Sequence, residues 1–261
     1  MASPAVVPGR ARLPNVVMAR RRLLAVLAIG ASFVAPVTAS LARSATPEAS
    51  LRNDTREAPA WQELPARSDA TPFGRQTASR NAHDVLAWIL ASGDNQTLPF
   101  VIIDKIDAKV FVFDGQGRMQ GAAPALLGLG RGDESIAGIG KRKLATIRPE
   151  ERTTPAGRFQ ASLGHDFEQD ILWVDYDAAL SLHRVITGNP KDRRHARLAS
   201  VSPDDNRISY GCINVPADFY DRVVVPAFTG TVGIVYILPE AKSLDRVFPI
   251  RSGLPRVSPG R

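Results

Sequence analysis

The sequence predicts a mainly β fold with a few short helices, and three observations carry that prediction. Short apolar runs rich in Val, Ile, Leu and Phe recur between residues 100 and 237, and Gly, Asp and Asn punctuate them. Apolar residues at helical spacing occur in only two places. The first is residues 81–92, where Asn81 is the expected N-cap with Asp84 three residues on. Ala82, Val85, Leu86, Ile89 and Leu90 make one face, and Gly93 ends the helix. Phe100–Ile103 and Lys109–Phe113 then flank a short turn at Asp107-Ala108, and Asp114-Gly115-Gln116-Gly117 turns the chain again, so hairpins are expected. Further strands are expected at Arg158–Ser162, Ile171–Val174, Ala179–His183 and Val232–Ile237. Pro216, Phe219, Val223 and Val224 give the second helix. The pattern is mainly antiparallel β, with one folded domain over residues 81–240. A basic tail rich in Pro and Gly, residues 241–261, is expected to be loosely held.

The N-terminal region reads as an address. Arg20-Arg21-Arg22 precedes an apolar run from Leu23 to Ala35, then Pro36 and a stretch of small residues, which is the layout of a secretory signal peptide over residues 1–42. Met18 leaves residues 1–17 as an upstream start or an extended charged region, and cleavage fits after Ala39 or Ala42. The apolar run is shorter than the about 20 residues a bilayer span needs, so no stable membrane span is expected. Residues 43–80, rich in Ala, Pro, Ser and Arg, read as a flexible linker.

Composition narrows the function. The net charge of +7 sits in the ends: residues 83–240 hold 17 Lys/Arg against 20 Asp/Glu, so nucleic acid is not an expected partner. A single cysteine, Cys212, excludes an intrachain disulfide framework and multi-cysteine metal sites, and the four histidines form no i,i+4 pair. No metal is expected. Gly128 to Lys141 is glycine-rich but fails as a phosphate loop, because Ser135 stands where glycine is needed and Arg142 where Ser or Thr is needed. It reads as a mobile loop with a basic tip.

Cys212 is the informative residue. Alone, a lone cysteine reads as a small buried hydrophobe. Its setting, Ser209-Tyr210-Gly211-Cys212-Ile213-Asn214-Val215-Pro216, instead reads as a turn entering a helix, where backbone N–H groups favour thiolate and can hold an oxyanion. His183 closes an apolar strand upstream and is available as a base. An unpaired thiol in an exported protein is also a liability unless it has chemistry to do. His83 and His165 read as ordinary surface or helix residues; Trp173 and Tyr176 read as core or as groove lining.

Ser209 to Asn214 resembles the Ser/Thr-x-Gly-Cys-apolar-Asn/Arg signature of the L,D-transpeptidase (YkuD-like) catalytic domain. The family's upstream histidine falls on His183, and Thr154-Pro155-Ala156-Gly157-Arg158-Phe159 looks like the Thr-Pro-x-Gly-x-Phe stretch of the same family. The resemblance covers roughly residues 98–240. It implies a β-sandwich with a few short helices, located in the periplasm or cell envelope. It also implies transfer of a peptidoglycan stem peptide through a thioester on Cys212, with release of a terminal D-amino acid and no cofactor. The acceptor is then a second stem peptide or an envelope protein. Cys212 is the implied nucleophile, His183 the base, and the Tyr210-Gly211 backbone the oxyanion loop. Ser209 and Asn214 shape that loop, and Arg184 is assigned to recognising a carboxylate. A hydrolase using the same thioester and a non-catalytic wall-binding module are the alternatives. Tyr210 replaces the family's His or Lys, and Arg184 replaces its glycine. The separation of 29 positions between His183 and Cys212 exceeds the family's common spacing, which makes His195, 17 positions upstream, a rival base. A lid-like insertion over residues 187–207 accounts for the excess.

Overall fold

The computed structural model describes residues 62–63, 72–166 and 169–250. The signal-peptide region, most of the expected linker and residues 251–261 lie outside the described residues. The strands are β1 (Gln62–Glu63), β2 (Phe100–Asp104), β3 (Lys109–Phe113), β4 (Met119–Pro124), β5 (Leu127–Gly128), β6 (Gly157–Asp166), β7 (Gln169–Asp175), β8 (Leu180–Arg184), β9 (Arg207–Ser209), β10 (Ile213–Val215) and β11 (Val232–Ile237). The helices are α1 (Arg80–Ser92), α2 (Arg194–Leu198), α3 (Ala217–Phe219) and α4 (Val225–Phe228), with a π-helical turn, Tyr220–Val224, between the last two. No helix among the described residues is long and apolar enough to cross a membrane.

Nine strands form one mixed sheet in the order β1-β4-β3-β2-β11-β6-β7-β8-β10, and β5 pairs with β9 in a small second sheet. The hairpins expected from the sequence are present, but the sheet is not wholly antiparallel: β11 runs parallel to β2, and β10 parallel to β8. These parallel pairs are long-range, so no local turn signal announces them. The central strands are buried on both faces. Val101, Ile103, Val110 and Val112 face a core shared with Leu172, Leu182 and Ile213 from the other side of the strand order, so the sheet curls around one apolar layer that residues 217–228 cover. Phe100, Ile102, Phe111 and Phe113 face a second layer under α1, where the Phe100 and Phe113 rings stack at 4.9 Å. Burial on both sides is why these strands read as unbroken apolar runs rather than alternating ones.

The boundaries differ from expectation in three places. The N-cap of α1 is Ser79, whose extended backbone lets Oγ accept from Ala82 N at 3.1 Å, so Asn81 lies inside the helix and Leu90 faces solvent. Order starts before residue 81: β1 pairs with β4, and the Phe73 ring is fully buried 4.9 Å from that of Phe111. An isolated phenylalanine in a polar stretch carries no periodicity to reveal this. Residues 241–250, expected to be loose, fold back instead, with Phe248 buried in the second layer.

What holds that return segment is a buried ionic cluster. Lys105, at the end of the β2 strand, is completely buried, and its ammonium donates to Gly132 O (2.6 Å), Asp133 Oδ1 (2.7 Å) and Thr154 O (2.8 Å), using all three of its donors. The Asp133 carboxylate also accepts from the backbone N–H groups of Glu240, Ala241 and Lys242 at 2.6–2.9 Å. Burial pushes the Asp133 carboxyl up, but Lys105 and these N–H groups outweigh it and hold it below its ordinary value. Arg207 on β9 completes the cluster, donating to Lys105 O at 2.8 Å and to both Glu240 oxygens. Lys105→Met leaves Asp133 buried without its cation and is expected to cost about 3–5 kcal/mol, read as a lower urea midpoint. Because the Asp133 carboxyl is depressed, its contribution is present above the ordinary carboxylate range and is lost as pH falls through its folded value. Asp133→Asn should therefore flatten the acid limb of a stability-versus-pH curve.

Candidate active site

The Cys212 turn is fixed from below by side chains that carry no reactivity themselves. Ser209 Oγ accepts from Gly211 N at 3.1 Å and donates to Cys212 O at 2.6 Å, closing a local hydroxyl turn. On the other side Thr154, fully buried, donates to Gly211 O at 2.7 Å and accepts from Gly128 N at 2.9 Å. Gly211 has φ +134°, and a Cβ there would sit 2.8 Å from Thr153 O, so the turn needs glycine for both its dihedral and its clearance. Thr154 is in turn the residue whose carbonyl receives Lys105, so the ionic cluster and the turn share one anchor.

The imidazole comes from the neighbouring strand by register. β10 runs parallel to β8, with Ile213 opposite Leu182 and Asn214 opposite His183. Period-two alternation sends Leu180 and Leu182 into the core and Ser181 and His183 to the other face, toward the turn. Ser181 Oγ lies 3.5 Å from Cys212 Sγ, and the thiol in turn reaches Ala179 O at 3.5 Å. Cys212 is half-buried. Burial pushes its thiol up, but the His183 imidazole, through a hydrogen bond and its charge, together with Ser181 brings it below its ordinary value. His183 Nδ1 lies 2.7 Å from Arg184 O, and its Nε2 lies 3.4 Å from Asn214 Nδ2. The Asn214 amide also donates to Cys212 O at 3.3 Å and accepts from Arg194 Nη1 at 2.9 Å.

The structure thus brings Cys212, His183, Ser209, Gly211 and Asn214 together. His195 is exposed on α2, and the imidazole acting on the thiol is that of His183. Tyr210 is partly exposed, with the Arg152 guanidinium 4.1 Å over its ring. Arg184 does not join the group. As the residue after His183 it falls on the opposite face of β8, where it lies 4.4 Å over the Tyr220 ring and donates to Asp170 (2.7 Å) and to Asp221. Both carboxylates neutralise it, which corrects its assignment to carboxylate recognition. Of the expected loop from Gly128 to Lys141 only Ile139–Lys141 is a helical turn; two more turns, Leu144–Thr146 and Pro149–Glu151, follow it, and there Glu151 is paired with Arg142 and Arg148. Ser181, Arg194 and Lys105 were not legible as site residues. Only the Ser181-x-His183 spacing on an expected strand could have pointed to the first of them.

Trp173 pairs across the sheet with Ser181 and so shares the face of the thiol, stacked on the exposed Tyr176 ring at 4.5 Å. The geometry yields two expectations. His183→Ala removes the largest influence lowering the thiol and leaves burial, which raises it. The pH midpoint of Cys212 alkylation by iodoacetamide should therefore rise above about 8.5, the value of a free thiol. Thr154→Val strands Gly211 O and Gly128 N and should cost about 1–3 kcal/mol in chemical denaturation, whereas Thr154→Ser should cost much less.

No family model matches the chain, and no curated protein matches it. Three solved structures to which it is similar align with it at 13–14% sequence identity. A point variant of the helical cell shape determining protein Pgp2 from Campylobacter jejuni aligns at TM-score 0.38, covering 63% of this chain and 58% of that one. The catalytic domain of the E. faecium L,D-transpeptidase aligns at 0.32, covering 54% and 98%. The L,D-transpeptidase LdtMt1 in complex with imipenem aligns at 0.31, covering 54% and 58%. This chain therefore spans less than two thirds of the length of the Pgp2 structure.

Proposed function

We propose that the chain is a cysteine acyltransferase of the L,D-transpeptidase type that acts on peptidoglycan stem peptides in the cell envelope after export. The observation that carries this reading is the half-buried Cys212 thiol, drawn below its ordinary titration by His183 and set in a turn that its own hydroxyl and glycine neighbours hold rigid. The motif resemblance supplies the substrate class.

In the first step the Cys212 sulfur attacks the carbonyl carbon of a stem-peptide bond, and its proton passes to the imidazole. With Nδ1 on the Arg184 carbonyl, which can only accept, the lone pair of the neutral ring is at Nε2, where taking the thiol proton requires the Asn214 amide to give way. The negative charge that builds on the carbonyl oxygen is held by backbone N–H groups of the Tyr210–Cys212 turn, at about 3 kcal/mol per donor. In the resting structure the Gly211 N–H is given to Ser209, so its use requires that hydroxyl to be exchanged for the oxyanion. The C–N bond then breaks, the departing amine of the terminal D-amino acid takes the imidazole proton, and the peptide remains on sulfur as a thioester. An amine of a second stem peptide or of an envelope protein attacks this thioester and restores the thiol. No step requires a metal or organic cofactor.

Purified protein incubated with stem-peptide fragments should accumulate cross-linked dimers and release a D-amino acid. Both products should be lost in Cys212→Ala and fall at least a hundredfold in His183→Ala. Shortened peptides without dimers would reassign the reaction to hydrolysis. Intact-protein mass spectrometry after exposure to a carbapenem should show one adduct that is absent from Cys212→Ala; no adduct on the parent protein would count against the assignment.

A further inference from the structure

The neighbourhood of His183 contains a side chain that touches neither the thiol nor the imidazole yet constrains both. Arg194 is the first residue of α2, inside the segment that separates base from nucleophile in the chain. Its Nη1 donates to Asn214 Oδ1 at 2.9 Å, while its Nε holds Asp192 Oδ2 at 3.1 Å, so the guanidinium is anchored on its other side. A guanidinium has only donors. The Asn214 atom that faces it must therefore be the oxygen, and the NH2 group must point the other way, toward Cys212 O (3.3 Å) and His183 Nε2 (3.4 Å).

This orientation constrains the ring beyond it. A nitrogen that faces an N–H donor presents its lone pair, so Nε2 is unprotonated. The other ring nitrogen faces the Arg184 carbonyl at 2.7 Å, which accepts only, so Nδ1 carries the proton. The two contacts come from different strands and agree. Without the arginine, an amide at this position could turn over and offer its oxygen to Nε2, which would draw the proton there and remove the lone pair from the side that must accept it from a thiol.

We propose that Arg194 is a positioning residue that fixes the tautomer of His183: by holding the Asn214 oxygen it keeps the amide N–H on Nε2 and the imidazole proton on Nδ1. The effect passes from guanidinium to amide to imidazole, across β10 and β8, without the arginine approaching the reacting atoms. The inference rests on the reading of His183 as the partner of Cys212, but not on the identity of the substrate or acceptor.

The test reads the ring itself. The full chain labelled with 15N-histidine is observed by multiple-bond proton–nitrogen correlation at a pH where His183 is neutral, with its signals assigned by their loss in His183→Gln. The parent protein should show a single tautomer, protonated at Nδ1. Arg194→Met should lose that pattern and give averaged shifts at both nitrogens, while Arg194→Lys, which still donates to the amide oxygen, should retain it. Asn214→Asp leaves Arg194 a partner but offers Nε2 only acceptors, so it should place a proton on Nε2 whether or not Nδ1 keeps its own on the Arg184 carbonyl; it decides the matter should Arg194→Met not fold. A parent protein protonated at Nε2, an Arg194→Met variant with an unchanged pattern, or an Asn214→Asp variant whose Nε2 stays unprotonated overturns the proposal. Failure to form cross-links in the transfer assay, with the Nδ1 tautomer present, would instead overturn the proposed function and leave this inference standing.

Discussion

The Lys105 ammonium is the constraint on which the rest of the site depends. A fully buried cation must have every donor satisfied, and this one is satisfied only if two segments distant in sequence arrive together, the 132–133 turn and the Thr154 carbonyl, while the Asp133 carboxylate of that turn also captures the C-terminal return. Thr154 then extends the same constraint to the nucleophile turn through its hydroxyl. The hydrophobic layers make the sheet, but they have no direction and would tolerate small slips. The polar cluster makes one arrangement of the loops over the sheet much better than its neighbours. Arg207 adds a second tie two residues before Ser209, so the Cys212 turn is held both at Gly211 and through β9, the strand that leads into it.

Sequence and structure agree where the signal is local. The hairpins and the strand that carries His183 were legible because alternation and turn residues lie within a few residues of one another; Cys212 was legible as part of a turn, but that turn enters strand β10 rather than the expected helix, which begins only at Ala217. The end of the folded region was not legible. A basic stretch with Pro and Gly looks unstructured, yet backbone N–H groups 240–242 dock on one carboxylate, an interaction indifferent to side-chain identity. The role of Lys105 was hidden in the same way, since nothing in a lone lysine after an apolar strand says that its partners lie 28 and 49 residues further on.

Arg184 and Arg194 illustrate the limit from both sides. Arg184 is adjacent to the base in sequence and on the far side of the strand in space, because neighbours in a β-strand point apart. Arg194 lies in a segment that reads as a solvated charged loop, yet it reaches the site through an amide. Proximity along the chain favoured Arg184, whereas the pairing of β8 with β10 is what brings Arg194, through Asn214, beside His183.

That parallel pairing has a further implication. Two parallel neighbours cannot be joined by a tight bend, so the thread between them must travel out and come back, and its length is free. His183 and Cys212 are therefore set side by side by the hydrogen-bond ladder rather than by the covalent path, and the spacing between them in the sequence measures only the detour. A chain opened at the solvent-facing Val201 and rejoined elsewhere would keep His183 beside Cys212, since that juxtaposition belongs to the weave and not to the yarn.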